Sequence, residues 1–487
     1  MKNLSAEKFL LLKQNPSAKA IISSSAVYTY DQLRQKVLSA SFYFKNQNIS
    51  SGDRVGIFSK NNMDFVINIL ALWQISAIPV PINFRLNESE IKEQFDSARC
   101  SLLLAHQDLY ESVKHITKKT IQFPFENKSD EFLTGPEEIK LIDPAVIIFT
   151  SGSTNKSKGI ILSFNSLYQS AINSNQLLRY TRSDSWLATL PFYHVGGLSI
   201  ITRSLLFGIP LILPDSLSVG EIKYSLSEWH PTFISLVAAQ LKKFVDEGVS
   251  PNAELKNCLL GGGFSDMELI LKAYDLEWPI NIVYGSTETA SFVTALLKEE
   301  IIIKSNSVGR AIPTNRIEIT DDDGNKLKPF EIGEITVQSN ALMTGYLDGN
   351  QMNQVITNGY YHTGDIGYVD EEGYLFIVGR KNYLISTGGE NVNPTEVEKA
   401  LLDHPKISEA AVFPLKDEEW GEIVAASVVS NQKSEKLSFE DIIDFLQKKI
   451  SSYKIPKKIF FEDDIPKSEL GKIQKEKLIA RYKLTSL

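Results

Sequence analysis

Thr150-Ser151-Gly152-Ser153-Thr154-Asn155-Lys156-Ser157-Lys158-Gly159, entered from the apolar stretch 145–149, is the segment on which the reading of this chain turns. Small residues let a backbone approach a polyphosphate, hydroxyl and N–H groups donate to its oxygens, and Lys156 and Lys158 offset its charge. The spacing is not that of the usual nucleoside-triphosphatase loop, which needs Gly-Lys-Ser/Thr four residues after a first glycine. Taken alone, the run fits a polar surface loop behind a buried strand equally well, and the rest of the chain has to decide.

The 487 residues, 43% of them hydrophobic, are enough for about three domain-sized units, and fewer, larger domains fit as well. A balance of 51 basic against 59 acidic residues leaves −8, which disfavours a general nucleic-acid binder and requires any anion site to be built locally. Two cysteines far apart, Cys100 and Cys258, argue against a disulfide framework and a cysteine metal site, and point to a reducing cytoplasm. Residues 1–14 place lysines among leucines and do not read as a signal peptide. The most apolar stretch, 66–82, is interrupted by Asn68, Gln74, Pro79 and Pro81, too often for a bilayer span, so membrane insertion is not expected. A homo-oligomer is left open.

Helical patterns at 31–46 and 63–74 alternate with short apolar runs at 55–58 and 101–104, the signature of an α/β layered domain with a largely parallel sheet. The pattern repeats with strand 146–149, helix 165–178, strand 186–190, loop 191–197 and helix 198–207, which predicts stacked α/β layers. From 309 to about 368 the texture becomes short alternating strands, 316–320 and 333–338, parted by the turn signal Asp323-Gly324-Asn325, a β-rich subdomain. After a polar break at 378–382, helix 393–402, strands 409–414 and 423–430, helix 439–450 and strand 458–461 predict a small α+β domain. The expected division is therefore 1–379, a hinge at 380–382, and a mobile C-terminal domain at 383–487.

Five further segments carry candidate chemistry. Pro191-Phe192-Tyr193-His194 sets a histidine in an aromatic corner, where a half-buried packing role is the competing reading. Gly261-Gly262-Gly263 ends an apolar run in bare backbone, against which a flat ligand can lie if it is more than a turn. Tyr284-Gly285-Ser286-Thr287-Glu288-Thr289 offers an aromatic face, a close-approach glycine, hydroxyl donors and a carboxylate suited to adenine, phosphate and Mg²⁺, or else simply opens a helix. Asp365, in His362-Thr363-Gly364-Asp365, and Arg380 suit ribose hydroxyls, or form an ordinary surface ion pair. Gly388-Gly389 forms a polar turn ahead of Pro394, and Lys472 lies in a glycine-containing loop.

In order and over almost the whole chain, these segments resemble the core motifs of the adenylate-forming superfamily of acyl- and aryl-CoA ligases, luciferases and adenylation domains. The resemblance implies ATP, Mg²⁺, a small carboxylic acid and coenzyme A as ligands. It implies that Thr150, Ser151, Gly152, Ser153, Thr154, Lys156 and Lys158 hold the β- and γ-phosphates, Thr287 the α-phosphate and Glu288 the metal. Gly262, Gly263, Tyr284 and Gly285 then border adenine, Asp365 and Arg380 bind ribose, and Lys472 bridges the attacking carboxylate and the α-phosphate. Asn382 matches the hinge, and Gly388 and Gly389 the tunnel for the pantetheine thiol. Asn155 and Ser157 depart from the glycine and proline usual in the phosphate loop, Tyr383 from an aspartate after the hinge, and Asn393 from a frequent aromatic. Segments 190–199, 259–263, 284–291 and 384–394 further resemble the branch that takes o-succinylbenzoate, an aryl dicarboxylate, on the route to menaquinone. That likeness places His194, Arg203, Gly262 and Ser286 at the acid, with Arg203 nine positions after His194 as partner of the second carboxylate. The alternatives are a ligase for medium-chain or other aromatic acids, and a non-catalytic ATP- or AMP-binding protein of the same fold.

Overall fold

The computed structural model describes residues 14–124, 140–150, 157–263, 267–349, 355–381, 384–387, 390–417, 420–431, 437–468, 471 and 473–483. The chain has a mixed α/β fold and forms two compact units, Met1–Arg316 with Gln338–Tyr361, and Ile317–Val337 with His362–Leu487.

In the first unit, strands Ile78–Ile82, Arg54–Phe58, Leu102–His106 and Thr120–Phe123 form, in that order, a wholly parallel sheet. Parallel strands are covered on both faces, which is why they read as unbroken apolar runs. Ile78–Ile82 is buried throughout despite Pro79 and Pro81. It is an edge strand whose Ile78 N–H donates inward to Asp53 O (2.7 Å), so the two prolines, on the opposite alternation, remove no ladder bond.

A nine-stranded sheet follows. Its centre is six parallel strands, in order Ile280–Ser286, Asn257–Gly261, Phe233–Val237, Trp186–Leu187, Leu211–Leu213 and Lys19–Ser23. Antiparallel strands Ser291–Leu296 and Arg310–Ala311 extend one edge, and Val27–Thr29 the other. The expected strand 186–190 is only two residues long, and the helix after it starts at Val195 rather than 198.

The third sheet differs from the expected strand-to-helix passage. Pro144–Thr150 pairs antiparallel with Lys158–Ser163, and the helix begins only at Phe164, with Ser163 Oγ accepting the Ser166 N–H at 3.1 Å. The strand 158–163 was not legible because its apolar run is brief and starts inside the Ser/Gly/Lys cluster. Its register makes Thr150 and Lys158 direct partners, so the two ends of the polar loop are held at strand-pairing distance.

Behind this hairpin lies the helix Met63–Gln74, buried at every residue from Phe65 to Gln74. A helix apolar on all sides belongs inside a core. Asn62 caps it, accepting from Phe65 N at 2.7 Å. Trp73 ties it to the hairpin, its Nε1 donating to Ala145 O (2.7 Å) and its ring meeting Phe164 edge-on at 5.5 Å. Among the described residues no helix is long and apolar enough to cross a membrane.

In the second unit, Arg316–Thr320, Gly333–Gln338, Tyr360–Val369 and Leu375–Arg380 form neighbouring strands. The last two are joined by a tight turn in which Asp370 Oδ1 accepts from Glu372 N and Tyr374 N. Further on, Ile407–Asp417 and Gly421–Ser430 pair antiparallel, and Lys458–Glu462 adds parallel to the latter. Helices Pro394–Leu402 and Phe439–Leu446 supply Val397, Leu401 and Leu446 to the core over these strands.

Trp73→Ala removes a wholly buried ring and the indole bond to Ala145 together. It is expected to destabilise the first unit by roughly 3–5 kcal/mol, read as a lowered urea midpoint at unchanged slope.

Candidate active site

Three of the loops singled out from the sequence leave the same edge of the nine-stranded sheet. Loop 191–194 follows Trp186–Leu187, Gly262 and Gly263 follow Asn257–Gly261, and Ser286–Thr289 follows Ile280–Ser286, all parallel strands. The carboxyl ends of parallel strands are where open α/β sheets bind ligands.

The first loop is clamped. Asn61 Nδ2 donates to Leu190 O (2.8 Å) and Asn61 Oδ1 accepts from Phe192 N (2.9 Å), while the Phe192 ring is buried against Phe65. A Cβ at Gly197 would lie 2.1 Å from Pro191 O, so only glycine lets the helix Val195–Phe207 start this close to the loop. His194 is the N-cap residue of that helix and makes no capping bond with its side chain. Its ring lies 4.6 Å from that of Tyr193, which in turn meets Phe84 edge-on. Burial lowers the His194 pKa to about 4, so the imidazole is neutral at ordinary pH. The buried Tyr193 hydroxyl has no partner among the described residues.

About two and a half turns along the same helix sits Arg203, only 2% exposed. Its guanidinium lies 4.9 Å from the Phe292 ring centre and 5.5 Å from that of Trp186. Its Nη2 donates to Ser291 Oγ (3.0 Å), and its Nε is buried with no partner among the described residues. Ser291 is the strand partner of Ser286, so Arg203 reaches the base of the 286–291 turn. Burial pulls the Arg203 pKa below its usual value, and no described carboxylate pairs with it. A buried cation without a counter-ion is costly, and an anion supplied from outside would relieve it.

The 286–291 turn is itself strained. Ala290 and Ser291 have φ of 53° and 121°, and the buried Thr289 hydroxyl holds the turn, accepting from Ser286 N (2.9 Å) and bonding Ser291 O (2.7 Å). A Cβ at Gly285 would come within 2.2 Å of Ser291 O, so this glycine allows the close return of the strand. Ser286 Oγ is buried and has no hydrogen-bond partner among the described residues. At the end of the neighbouring strand Gly262 has φ +84°, and a Cβ at Gly263 would meet nothing within 4 Å.

Tyr346 joins this turn to the strand that begins at Lys158. It lies on the short strand Gly345–Tyr346 that pairs with Lys158–Ser163. Its hydroxyl donates to Glu288 Oε1 (3.3 Å), and Lys158 Nζ stands 5.6 Å from its ring centre. Met343 N donates to Glu288 O at 2.7 Å, fixing the backbone as well. Burial, then the Glu288 carboxylate, pushes the Tyr346 pKa up, so the phenol keeps its proton and donates.

In the second unit Asp365 and Arg380 are strand partners, and Arg380 Nε donates to Asp365 Oδ1 at 2.6 Å. Thr363 prepares the approach, its Oγ1 donating to Ile335 O (2.7 Å) and accepting from Asp365 N (3.0 Å).

Of the residues expected at the site, Ser151, Gly152, Ser153, Thr154, Lys156, Asn382, Gly388, Gly389 and Lys472 lie outside the described residues. Within the first unit Lys158 and Glu288 meet at Tyr346 and Thr150 pairs with Lys158, while Arg203 and Ser286 meet at Ser291. Asn61 and Tyr346 were missed. Asn61 carries no motif, and Tyr346, 58 residues beyond Glu288, reaches it only through sheet pairing.

Residues 11–347 match the family of AMP-binding enzymes, and residues 396–472 match the AMP-binding enzyme C-terminal domain. The chain is 33% identical over 467 residues to 2-succinylbenzoate–CoA ligase of Bacillus thuringiensis subsp. konkukian, covering 95% of each. It resembles o-succinylbenzoate CoA synthetase of Bacillus subtilis in complex with its acyl-adenylate intermediate, at a TM-score of 0.90 and 29% identity over 98% of each chain. The same protein in complex with ATP and magnesium ion gives 0.88 and 28%, over 97% of this chain and 99% of the other.

The environment of His194 sets a pH dependence. In the unfolded chain a histidine gains its proton below about 6.5, whereas the folded ring stays neutral down to about 4. The unfolded state therefore binds more protons between these values, and stability falls as pH is lowered through that window. In His194→Gln the urea midpoint is expected to fall less steeply from pH 6.5 to 4, and parallel slopes would place the ring in a solvent-like setting.

Proposed function

The chain belongs to the family of AMP-binding enzymes, and on that premise we propose that it activates o-succinylbenzoate with ATP and transfers the acyl group to coenzyme A. The observation that carries the choice of acid is Arg203, a buried guanidinium with no partner for its Nε and no counter-ion among the described residues, one contact from the 286–291 turn. An aryl dicarboxylate has one carboxylate to activate and a second to pair with such a cation, for which arginine's fork is well suited.

In the proposed reaction a carboxylate oxygen of the acid attacks the α-phosphorus of ATP, and the bond to pyrophosphate breaks. The thiol sulfur of coenzyme A, its proton lost, then attacks the acyl carbon, and AMP leaves with the electron pair. Both partners of the first step are anions, so positive charge has to stand where negative charge collects. Lys472 is assigned to that place, Lys156 and Lys158 to the departing pyrophosphate, and Thr287 to the α-phosphate. Glu288 is assigned to a magnesium ion, which commonly takes one or two carboxylates with substrate phosphates and water. Tyr346 orients that carboxylate through Oε1. Gly262, Gly263 and Tyr284 are assigned to adenine, and Asp365 with Arg380 to ribose. Neutral His194 suits the aryl body of the acid. Asn382 is assigned to the hinge between 1–379 and 383–487, with Gly388 and Gly389 at the thiol tunnel. A domain turn at that hinge lets one protein present different surroundings to adenylation and thiolysis.

Incubation with o-succinylbenzoate, ATP, Mg²⁺ and coenzyme A is expected to give the aryl-CoA thioester by mass, with AMP and pyrophosphate. Turnover of benzoate or octanoate with none of o-succinylbenzoate would reject the acid and keep the chemistry, whereas ATP binding without pyrophosphate from any acid would reject ligation. Lys472→Ala is expected to slow adenylate formation by about 10²–10³-fold while leaving thiolysis of supplied acyl adenylate largely intact; equal loss in both half-reactions contradicts the two-step assignment. Arg203→Met, which keeps volume and removes a buried charge, is expected to leave stability unchanged or higher and to raise the acid's KM by about tenfold or more, with a smaller change in kcat. An unchanged KM removes Arg203 from the acid pocket.

A further inference from the structure

Glu334, on the strand Gly333–Gln338, lies outside every motif considered so far, and its side chain is only 14% exposed. Its Oε1 accepts from Gly364 N at 3.2 Å. Its Oε2 stands 3.4 Å from His362 Nδ1 and 3.5 Å from Lys381 Nζ, and Lys381 also reaches Asp322 Oδ1 at 2.7 Å. Gly364 immediately precedes Asp365, and Lys381 immediately follows Arg380. One half-hidden carboxylate therefore holds a flank of each member of the Asp365–Arg380 pair. Gly364 has φ +71°, a conformation that favours glycine and leaves its N–H turned toward Glu334. The next residue on the strand does the same for Thr363, whose hydroxyl bonds Ile335 O and receives Asp365 N.

We propose that Glu334 is the positioning residue of the nucleotide's ribose subsite: it touches no ligand, and it sets the separation and aim of Asp365 and Arg380 by gripping Gly364 and Lys381. The proposal rests on the reading of Asp365 and Arg380 as the ribose pair. Two carboxylate oxygens serve two different tasks. Oε1 fixes the backbone that presents Asp365, a task a neutral amide oxygen can also perform. Oε2 draws in the Lys381 ammonium, which needs charge.

The test is direct titration of the full-length protein with ATP and with 2′,3′-dideoxy-ATP, both with Mg²⁺, by calorimetry. The ratio of the two dissociation constants reports the ribose hydroxyls alone, and a general loosening of the fold moves both constants together. For the unaltered protein the ratio is expected to be about tenfold or more, and for Asp365→Ala close to one. Glu334→Ala is expected to bring the ratio within about threefold of one, while Glu334→Gln, which keeps an acceptor for Gly364 N but not the charge that draws in Lys381, retains part of it. Glu334→Asp, one methylene shorter, gives an intermediate ratio and serves if the alanine variant does not fold. A full ratio in Glu334→Ala with its loss in Asp365→Ala overturns the positioning role, and so does a glutamine variant no better than alanine. A full ratio in Asp365→Ala overturns the ribose reading itself.

Discussion

The antiparallel register that makes Thr150 and Lys158 partners is the constraint on which the proposed phosphate end of the site depends. The pairing closes a hairpin that holds Thr150 and Lys158 at a fixed separation. The hairpin stays in place because Trp73, on a helix buried on every side, donates to Ala145 O from behind. The third strand of the same sheet carries Tyr346 to Glu288. Hydrophobic burial thus fixes a register, and the register fixes a distance between a lysine and a carboxylate.

Charge is organised on the same local scale. The protein as a whole carries −8, so it has no general attraction for anions. It offsets this with individual cations in defined settings. Lys158 stands by an aromatic ring at the loop's end. Arg203 lies between Trp186 and Phe292 and donates to Ser291 Oγ. Flat aromatic faces partly compensate a guanidinium without neutralising it. Neutral His194 and the hydroxyls of Tyr193 and Ser286, unpartnered among the described residues, add polar groups without adding repulsion.

Much of this was legible in the sequence. The helix 63–74 and the strands 316–320 and 333–338 agree with the structure to the residue, because long apolar periodicity and clear turn signals leave little choice. The motif order gave the family, and Asp365 with Arg380 proved to be strand partners. What was not legible has a common cause. The strand 158–163 is too short and too close to the polar cluster for periodicity to register it. Asn61, Tyr346 and Glu334 carry no motif of their own, and each acts on a segment 28 or more residues away.

By itself the sequence determined which chemistry-bearing groups exist, in what order, and in which local strand-turn settings, since these follow from side-chain type and short-range backbone preference. Only the tertiary structure decided which of those groups meet. The parallel order of the nine-stranded sheet brings loops from residues 191, 262 and 286 to one edge, and the pairing of three distant strands sets Tyr346 against Glu288. Likewise, that Arg203 is buried without a carboxylate while Glu334 is shared between two neighbours of a strand pair depends on packing between elements far apart in the chain. Those distances are set by sheet register and core burial, which no local stretch of residues contains.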